Sequence, residues 1–193
     1  PNGAGKTTAF NLITGLLKPD LGEITFAGQP IGGLPPHRIT RMGISRTFQI
    51  TRDLQEMTVL ENLAVSLPVK GVRGLFLSGI RRDEEERAMQ LLEFLGIDRL
   101  AHEKSKNLSY GQKKLLELAS VLMAEPRLIM LDEPAGGVNP ALLETIMERI
   151  KELNEQGITF LIVEHNMDLV MKIGNPVICM AYGTAGDANT DDH

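Results

Sequence analysis

The sequence contains a single cysteine, Cys179, so it closes no internal disulfide and suits a reducing compartment. Positive charge is in the minority. Twenty Lys and Arg against 25 Asp and Glu leave a net charge of −5, which favours neither DNA, RNA nor anionic lipid as the main partner. No apolar run approaches the roughly 18 residues that a membrane-spanning helix needs. Any membrane role must therefore come through a partner subunit. Internal repeats and low-complexity linkers are also lacking. What is present is an ordinary globular composition, 42% hydrophobic and 23% charged, over a length that suits one domain with room for a subdomain.

Apolar spacing divides the chain into helices and strands. Lys6 to Leu17 reads as a helix with Phe10, Leu12, Ile13, Leu16 and Leu17 on one face, stopped by Lys18-Pro19-Asp20. Glu23 to Phe26 and Ile44 to Gln49 read as strands around a turn-rich stretch from Gly32 to Pro36. The middle is helical. Thr58-Val59-Leu60-Glu61 is a capping box opening a helix to about Leu67. Gly71 to Gly79 reads as a loop. The acidic run Asp83 to Glu86 is the solvated start of a helix over Arg82 to Leu95, ended by Gly96. A second capping box, Ser109-Tyr110-Gly111-Gln112, starts a helix to about Ala124. The chain then alternates: a strand over Arg127 to Leu131, and a helix from Asn139-Pro140 to Gly157 with Leu142, Leu143, Ile146, Ile150 and Leu153 inward. Ile158 to Val163 follows as a strand suited to burial on both faces. A short helix over Asn166 to Ile173 and a last strand over Val177 to Ala181 complete the pattern. This alternation predicts an α/β domain with a mainly parallel sheet.

The chain opens inside a motif. Pro1-Asn2-Gly3-Ala4-Gly5-Lys6-Thr7-Thr8 fits the phosphate-loop pattern without its first glycine. Gly3 and Gly5 let the backbone approach phosphate oxygens, and a helix starting at Lys6 turns its N–H groups toward an anion. Lys6 suits the β- and γ-phosphates, the Thr7 hydroxyl suits Mg2+, and Thr8 suits the α-phosphate. A glycine-rich turn before a helix would be the bland alternative.

Leu128 to Glu133 is an apolar strand ending in two carboxylates. In a parallel sheet that end is the ligand-binding edge. Asp132 there suits the water shell of Mg2+, which takes few protein carboxylates. Glu133, one residue on, suits the polarising of a water that attacks a γ-phosphate. His165 follows its own strand to the same edge, where it suits contact with the γ-phosphate. Gln49 ends a third strand and suits Mg2+ ligation or the positioning of water.

Together these residues resemble an ABC ATPase. Pro1 to Thr8 looks like its Walker A motif, with Asn2, Gly3, Ala4, Gly5, Lys6, Thr7 and Thr8 carried over as nucleotide-binding. Gln49 in Arg46-Thr47-Phe48-Gln49 resembles the Q-loop glutamine. Leu108 to Gln112 resembles the ABC signature, Leu128 to Glu133 the Walker B motif, Ala135 to Pro140 the D-loop and His165 the switch histidine. The resemblance implies a P-loop NTPase fold, one domain over residues 1–193 with a helical subdomain at about 50–125, and ATP with Mg2+ as bound groups. It implies N-terminal strands upstream of Pro1 that this chain lacks, together with an aromatic that stacks on adenine. Glu133, His165 and Gln49 would be catalytic, with Thr7, Gln49 and Asp132 holding the metal. Ser109, Gly111 and Gln112 would bind the γ-phosphate of ATP held by a second ABC ATPase subunit, like or unlike this one, in a head-to-tail dimer. Transmembrane permease subunits would be the other partners, with no nucleic acid, at the cytoplasmic face of the membrane.

Met57 to Asn62, Gly136 to Pro140 and Val163 to Met167 narrow the resemblance to ATPase subunits of branched-chain amino-acid importers, with urea and amide importers similar. Tyr110 replaces the usual first signature glycine, and Asn139 stands where many relatives carry the D-loop aspartate. Tyr182 to His193 is polar and reads as a frayed tail. On this reading the chain is a piece of a longer product and, without the upstream strand, would bind ATP poorly and be marginally folded. Two alternatives stay open. A non-transport ABC ATPase predicts basic surfaces or long coiled-coil inserts, and neither is visible. A regulatory module without hydrolysis predicts loss of Glu133 or His165, and both are present. Arg38, Arg41, Arg46 and Arg52 read as a solvated or partner-facing surface.

Overall fold

The computed structural model describes residues 3–47, 54–67, 81–174 and 176–187. A helix α1 (Lys6–Ile13) leads to a hairpin of β1 (Thr25–Phe26) and β2 (Gln29–Pro30), then α2 (Pro36–Arg41) and β3 (Ile44–Arg46). Three α-helices follow among the described residues: α3 (Val59–Val65), α4 (Arg82–Phe94) and α5 (Tyr110–Leu122). The chain closes with β4 (Leu128–Asp132), α6 (Pro140–Glu155), β5 (Thr159–Val163), α7 (Met167–Ile173), β6 (Ile178–Ala181) and β7 (Thr184–Asp187). The central sheet has the order β3-β4-β5 and is parallel, with Arg46 beside Met130 and Asp132 beside Val163.

Strand alternation builds both layers of the core. On β4, Met130 joins Phe10 of α1, Ile31, Ile39 of α2 and Ile44 in one buried cluster. Its neighbours Ile129 and Leu131 face the opposite cluster, formed by α3, α4, α5 and α6 through residues such as Leu63, Leu92, Ala119 and Ile150. Parity therefore sends Asp132, two residues past Met130, toward the α1 side of the sheet.

The capping residues behave as expected. Thr58 and Ser109 each accept from the backbone N–H three residues on, while Glu61 and Gln112 return a bond to the cap. Asn139 and Asn166 cap α6 and α7, with Pro140 at the first position of α6.

Several expectations need correction. The first helix ends at Ile13, not Leu17. Thr14 bonds back to the Phe10 carbonyl, Gly15 turns with φ 74°, and Leu16 and Leu17 lie exposed. The turn-rich stretch leads directly into α2, where Pro36 stands at the N-terminal position that suits proline. Ile158 to Val163 is not buried on both faces. β5 is half-buried, because among the described residues only β4 flanks it, whereas β4 lies between two strands. Tyr182 to Asp187 is no frayed tail: β7 pairs with β6 as an antiparallel hairpin turning at Tyr182-Gly183. The expected loop from Gly71 to Gly79 lies outside the described residues.

Candidate functional site

The phosphate-loop segment turns through left-handed backbone at Gly3 (φ 81°) and Gly5 (φ 93°) before α1 begins at Lys6. Such angles strain any residue carrying a Cβ. A Cβ on Gly5 would also press within 3.3 Å of Gly183, whose N–H donates to the Ala4 carbonyl at 3.2 Å. The β6–β7 hairpin thus braces the loop from behind. No side chain caps α1, so the N–H groups of its first turn keep their capacity for an anion. Thr7 and Thr8 are exposed, Lys6 is half-buried and Ala4 is buried. Asn2 lies outside the described residues, as does Gln49.

The parallel register brings the ends of β3, β4 and β5 to one edge. Asp132 is buried there. Its Oδ2 accepts from Arg46 Nη2 at 3.0 Å, with only 8% of the Arg46 side chain and 6% of the Asp132 side chain exposed. Arg46 Nη1 donates to Asn11 Oδ1 of α1 at 2.7 Å, and the guanidinium lies 5.1 Å from the Phe10 ring centre. Arg46 therefore belongs to this edge and not to a solvated surface, which corrects the reading of the arginine cluster. Arg38 and Arg41 are exposed, and Arg52 lies outside the described residues. The register explains the pairing: Arg46 pairs with Met130, two residues before Asp132, so the two side chains share a face.

Glu133 sits in left-handed backbone at φ 49°, its N–H donating to the Val163 carbonyl at 2.9 Å. A non-glycine residue held in that region aims its side chain differently from a continuing strand. It faces His165, whose Nδ1 lies 3.5 Å from Glu133 Oε1, and the His165 side chain is 71% exposed. Glu164, which the sequence reading passed over, supports both segments. Its Oε1 accepts from the Ala135 N–H at 2.9 Å, and its Oε2 from the N–H groups of His165 and Asn166 at 3.1 and 3.4 Å. The arrangement offers a buried metal-type carboxylate, a carboxylate beside an imidazole, and a helix N-terminus suited to phosphate.

The Ser109 turn opens α5. Ser109 and Gln112 use their side chains on each other's backbone. Gly111 packs so closely on α6 that an added Cβ would stand 2.0 Å from Leu142 Cδ2, and the Tyr110 ring covers Gly137. The Lys114 ammonium lies 5.9 Å from the ring centre of half-exposed Tyr110.

The donor set suits a nucleotide with Mg2+. Among the described residues no cluster of three or more His, Cys, Asp or Glu side chains is placed to hold a metal. A single carboxylate with a threonine hydroxyl matches Mg2+, which keeps most of its waters and leans on substrate phosphates. Among the described residues no helix is long and apolar enough to cross a membrane.

A family model described as ABC transporter matches residues 1–136. The chain is 45% identical over 189 residues to a branched-chain amino acid transport ATP-binding protein, LivG, of Archaeoglobus fulgidus, covering 95% of this chain and 74% of that one. It is 43% identical over 194 residues to the high-affinity branched-chain amino acid transport ATP-binding protein LivG of Escherichia coli, covering 95% and 76%. Among solved structures, an ATP-binding cassette of an ABC transporter in its ADP conformation is similar at a TM-score of 0.84 and 40% identity, covering 97% of this chain and 77% of that one. A dimeric cassette in a post-hydrolysis state bound to ADP and Pi gives a TM-score of 0.79 at 29% identity, covering 97% and 82%.

Proposed function

The chain belongs to the ABC transporter ATP-binding family, and from that premise we propose that it is the ATPase subunit powering an importer of branched-chain amino acids or related amides. The observation that carries the catalytic reading is the shared edge of Asp132, Glu133 and His165, with Asp132 linked through Arg46 to the helix that starts at the phosphate loop.

On this reading Asn2 to Thr8 hold the phosphates through backbone N–H groups and the Lys6 ammonium. Thr7, Asp132 and Gln49 hold Mg2+, which when bound offsets phosphate charge. Glu133 accepts a proton from the attacking water, and His165 orients Glu133 and the terminal phosphate. Ser109, Gly111 and Gln112 present the N-terminus of α5 to the phosphate of a second ATPase subunit. That second surface is supported by the capped and exposed start of α5 at Ser109. On the same reading the helical group at about 50–125 is the subdomain that meets the permease, and the working subunit sits on the cytoplasmic face of the membrane.

The test is ATP-driven uptake of leucine into proteoliposomes that carry the protein assembled with its permease subunits. Glu133→Gln should reduce hydrolysis and uptake together by about 10²–10⁴-fold while nucleotide binding persists, the range expected for loss of a general base. Unchanged turnover would remove Glu133 from that role. Coupled transport of a solute that is neither a branched-chain amino acid nor an amide, with no response to leucine, would overturn the substrate assignment.

A further inference from the structure

The geometry points to Arg46 as a positioning residue for the metal carboxylate, an assignment that rests on the proposed role of Asp132. Arg46 reaches three elements at once. It grows from the end of β3, bonds Asp132 Oδ2 at the end of β4, and is anchored on α1 by the Asn11 amide oxygen and the Phe10 ring. Phe10 is itself buried in the core. Two independent anchors hold the guanidinium on the helix that begins at the phosphate loop, so it is built to stay in place and not to swing away. Only the planar, two-armed head of arginine can address Asn11 through Nη1 and Asp132 through Nη2 together. Lysine at this position could satisfy one of them.

The consequence is geometric. Arg46 engages one carboxylate oxygen, Oδ2, and thereby sets the rotation that directs Oδ1. The Asp132 carboxylate and the helix that begins at the phosphate loop are tied together through Arg46, so a shift of α1 carries the carboxylate with it. Such outer-shell partners of a metal ligand typically matter by roughly 10–100-fold in metal affinity. The guanidinium also balances the charge of a carboxylate that is nearly sealed from water, where an unpaired ion would be costly.

The experiment measures ADP affinity by titration calorimetry in chelator and in Mg2+, with the protein in its full assembly. The readout is the ratio of the two affinities. Arg46→Lys, which keeps the charge and loses the fork, should leave ADP affinity in chelator within about twofold and cut the gain due to Mg2+ by roughly tenfold or more. Asn11→Ala, which removes one anchor but leaves the ion pair, should cut that gain measurably but less than Arg46→Lys does, and an unchanged gain would count against the anchoring. It also keeps the proposal testable where the Arg46 variant does not fold. A full Mg2+ gain in Arg46→Lys would show that charge alone suffices and would overturn the proposal. So would an equal fall in both affinities, which marks a general structural role. Asp132→Asn separates the two layers: if that variant keeps the whole Mg2+ gain, the metal role of Asp132 fails and the Arg46 assignment falls with it.

Discussion

Replacing Glu164 with alanine should loosen the edge at which Glu133 and His165 meet. The carboxylate takes three N–H groups, but they are not equal. The bond from Ala135 is 2.9 Å long and partly buried, whereas those from His165 and Asn166 are exposed and longer, so water can replace them. A hydrogen bond to a charged group contributes roughly 1.5–3 kcal/mol, and with one such bond dominant the loss should be about 2 kcal/mol. For a chain of this size each kcal/mol shifts the melting temperature by roughly 2–4 °C, so Glu164→Ala should melt about 4–8 °C lower. Glu164→Gln keeps an oxygen for Ala135 and should recover at least half of that. Both segments flank the proposed catalytic pair, and misplacement of such groups costs up to about 10²-fold in rate, so turnover should fall by roughly 10–100-fold with nucleotide affinity retained. Differential scanning calorimetry and steady-state ATPase assays on the assembled protein measure the two effects. A melting point within about 1 °C of the parent would refute the bracing argument, as would normal turnover at a lowered melting point.

Ser109→Arg should abolish ATP-driven dimerisation on a Glu133→Gln background without unfolding, because a bulky side chain would occupy the exposed start of α5; sedimentation with ATP reads the dimer fraction, and an unchanged fraction would leave the motif as a helix cap only. Gly15→Ala should destabilise by about 2–5 kcal/mol, since it combines left-handed strain with overpacking. Its Cβ would stand 2.2 Å from the Leu34 carbonyl oxygen at φ 74°, and chemical denaturation gives the cost. The Glu56 carboxyl should titrate below the ordinary value of 4.5, chiefly through its bond with Lys106 and then that with Lys104. Because the folded value is depressed, this contribution is complete above about pH 4.5 and fades as pH falls through the lower folded value. Lys106→Met should move the titration back up in a carboxyl NMR experiment, and no movement would dismiss the pairing.

Much of the chemistry was legible in local order. A phosphate loop, a carboxylate pair after an apolar strand and two capping boxes each depend on neighbours a few residues apart, so their spacing survives in the sequence. The helix starts at Thr58, Ser109, Asn139 and Asn166 were readable for the same reason: a cap is a bond across three positions. Helix ends were harder, as at Ile13, because Gly15 and the carbonyl of Leu34 meet only after the chain has turned back. The burial of β5 was misjudged because an apolar run shows what a strand can tolerate, and the sheet decides how many neighbours it receives.

The roles of Arg46 and Glu164 belong to the tertiary structure alone. In the sequence Arg46 lies 86 positions from Asp132 and 35 from Asn11, and its company with Arg38 and Arg41 suggests solvent. Only the register of β3 on β4, and the packing of α1 over Met130, bring a guanidinium and a carboxylate together out of water. Glu164 likewise looks like one more charged residue beside His165 until the end of β5 aligns with the end of β4 and the Ala135 N–H comes within reach. Local motifs name the groups able to do the chemistry, because their identity is written residue by residue. Which charges are buried, and which backbone each one braces, depends on contacts between distant segments, and those exist only once the sheet has formed.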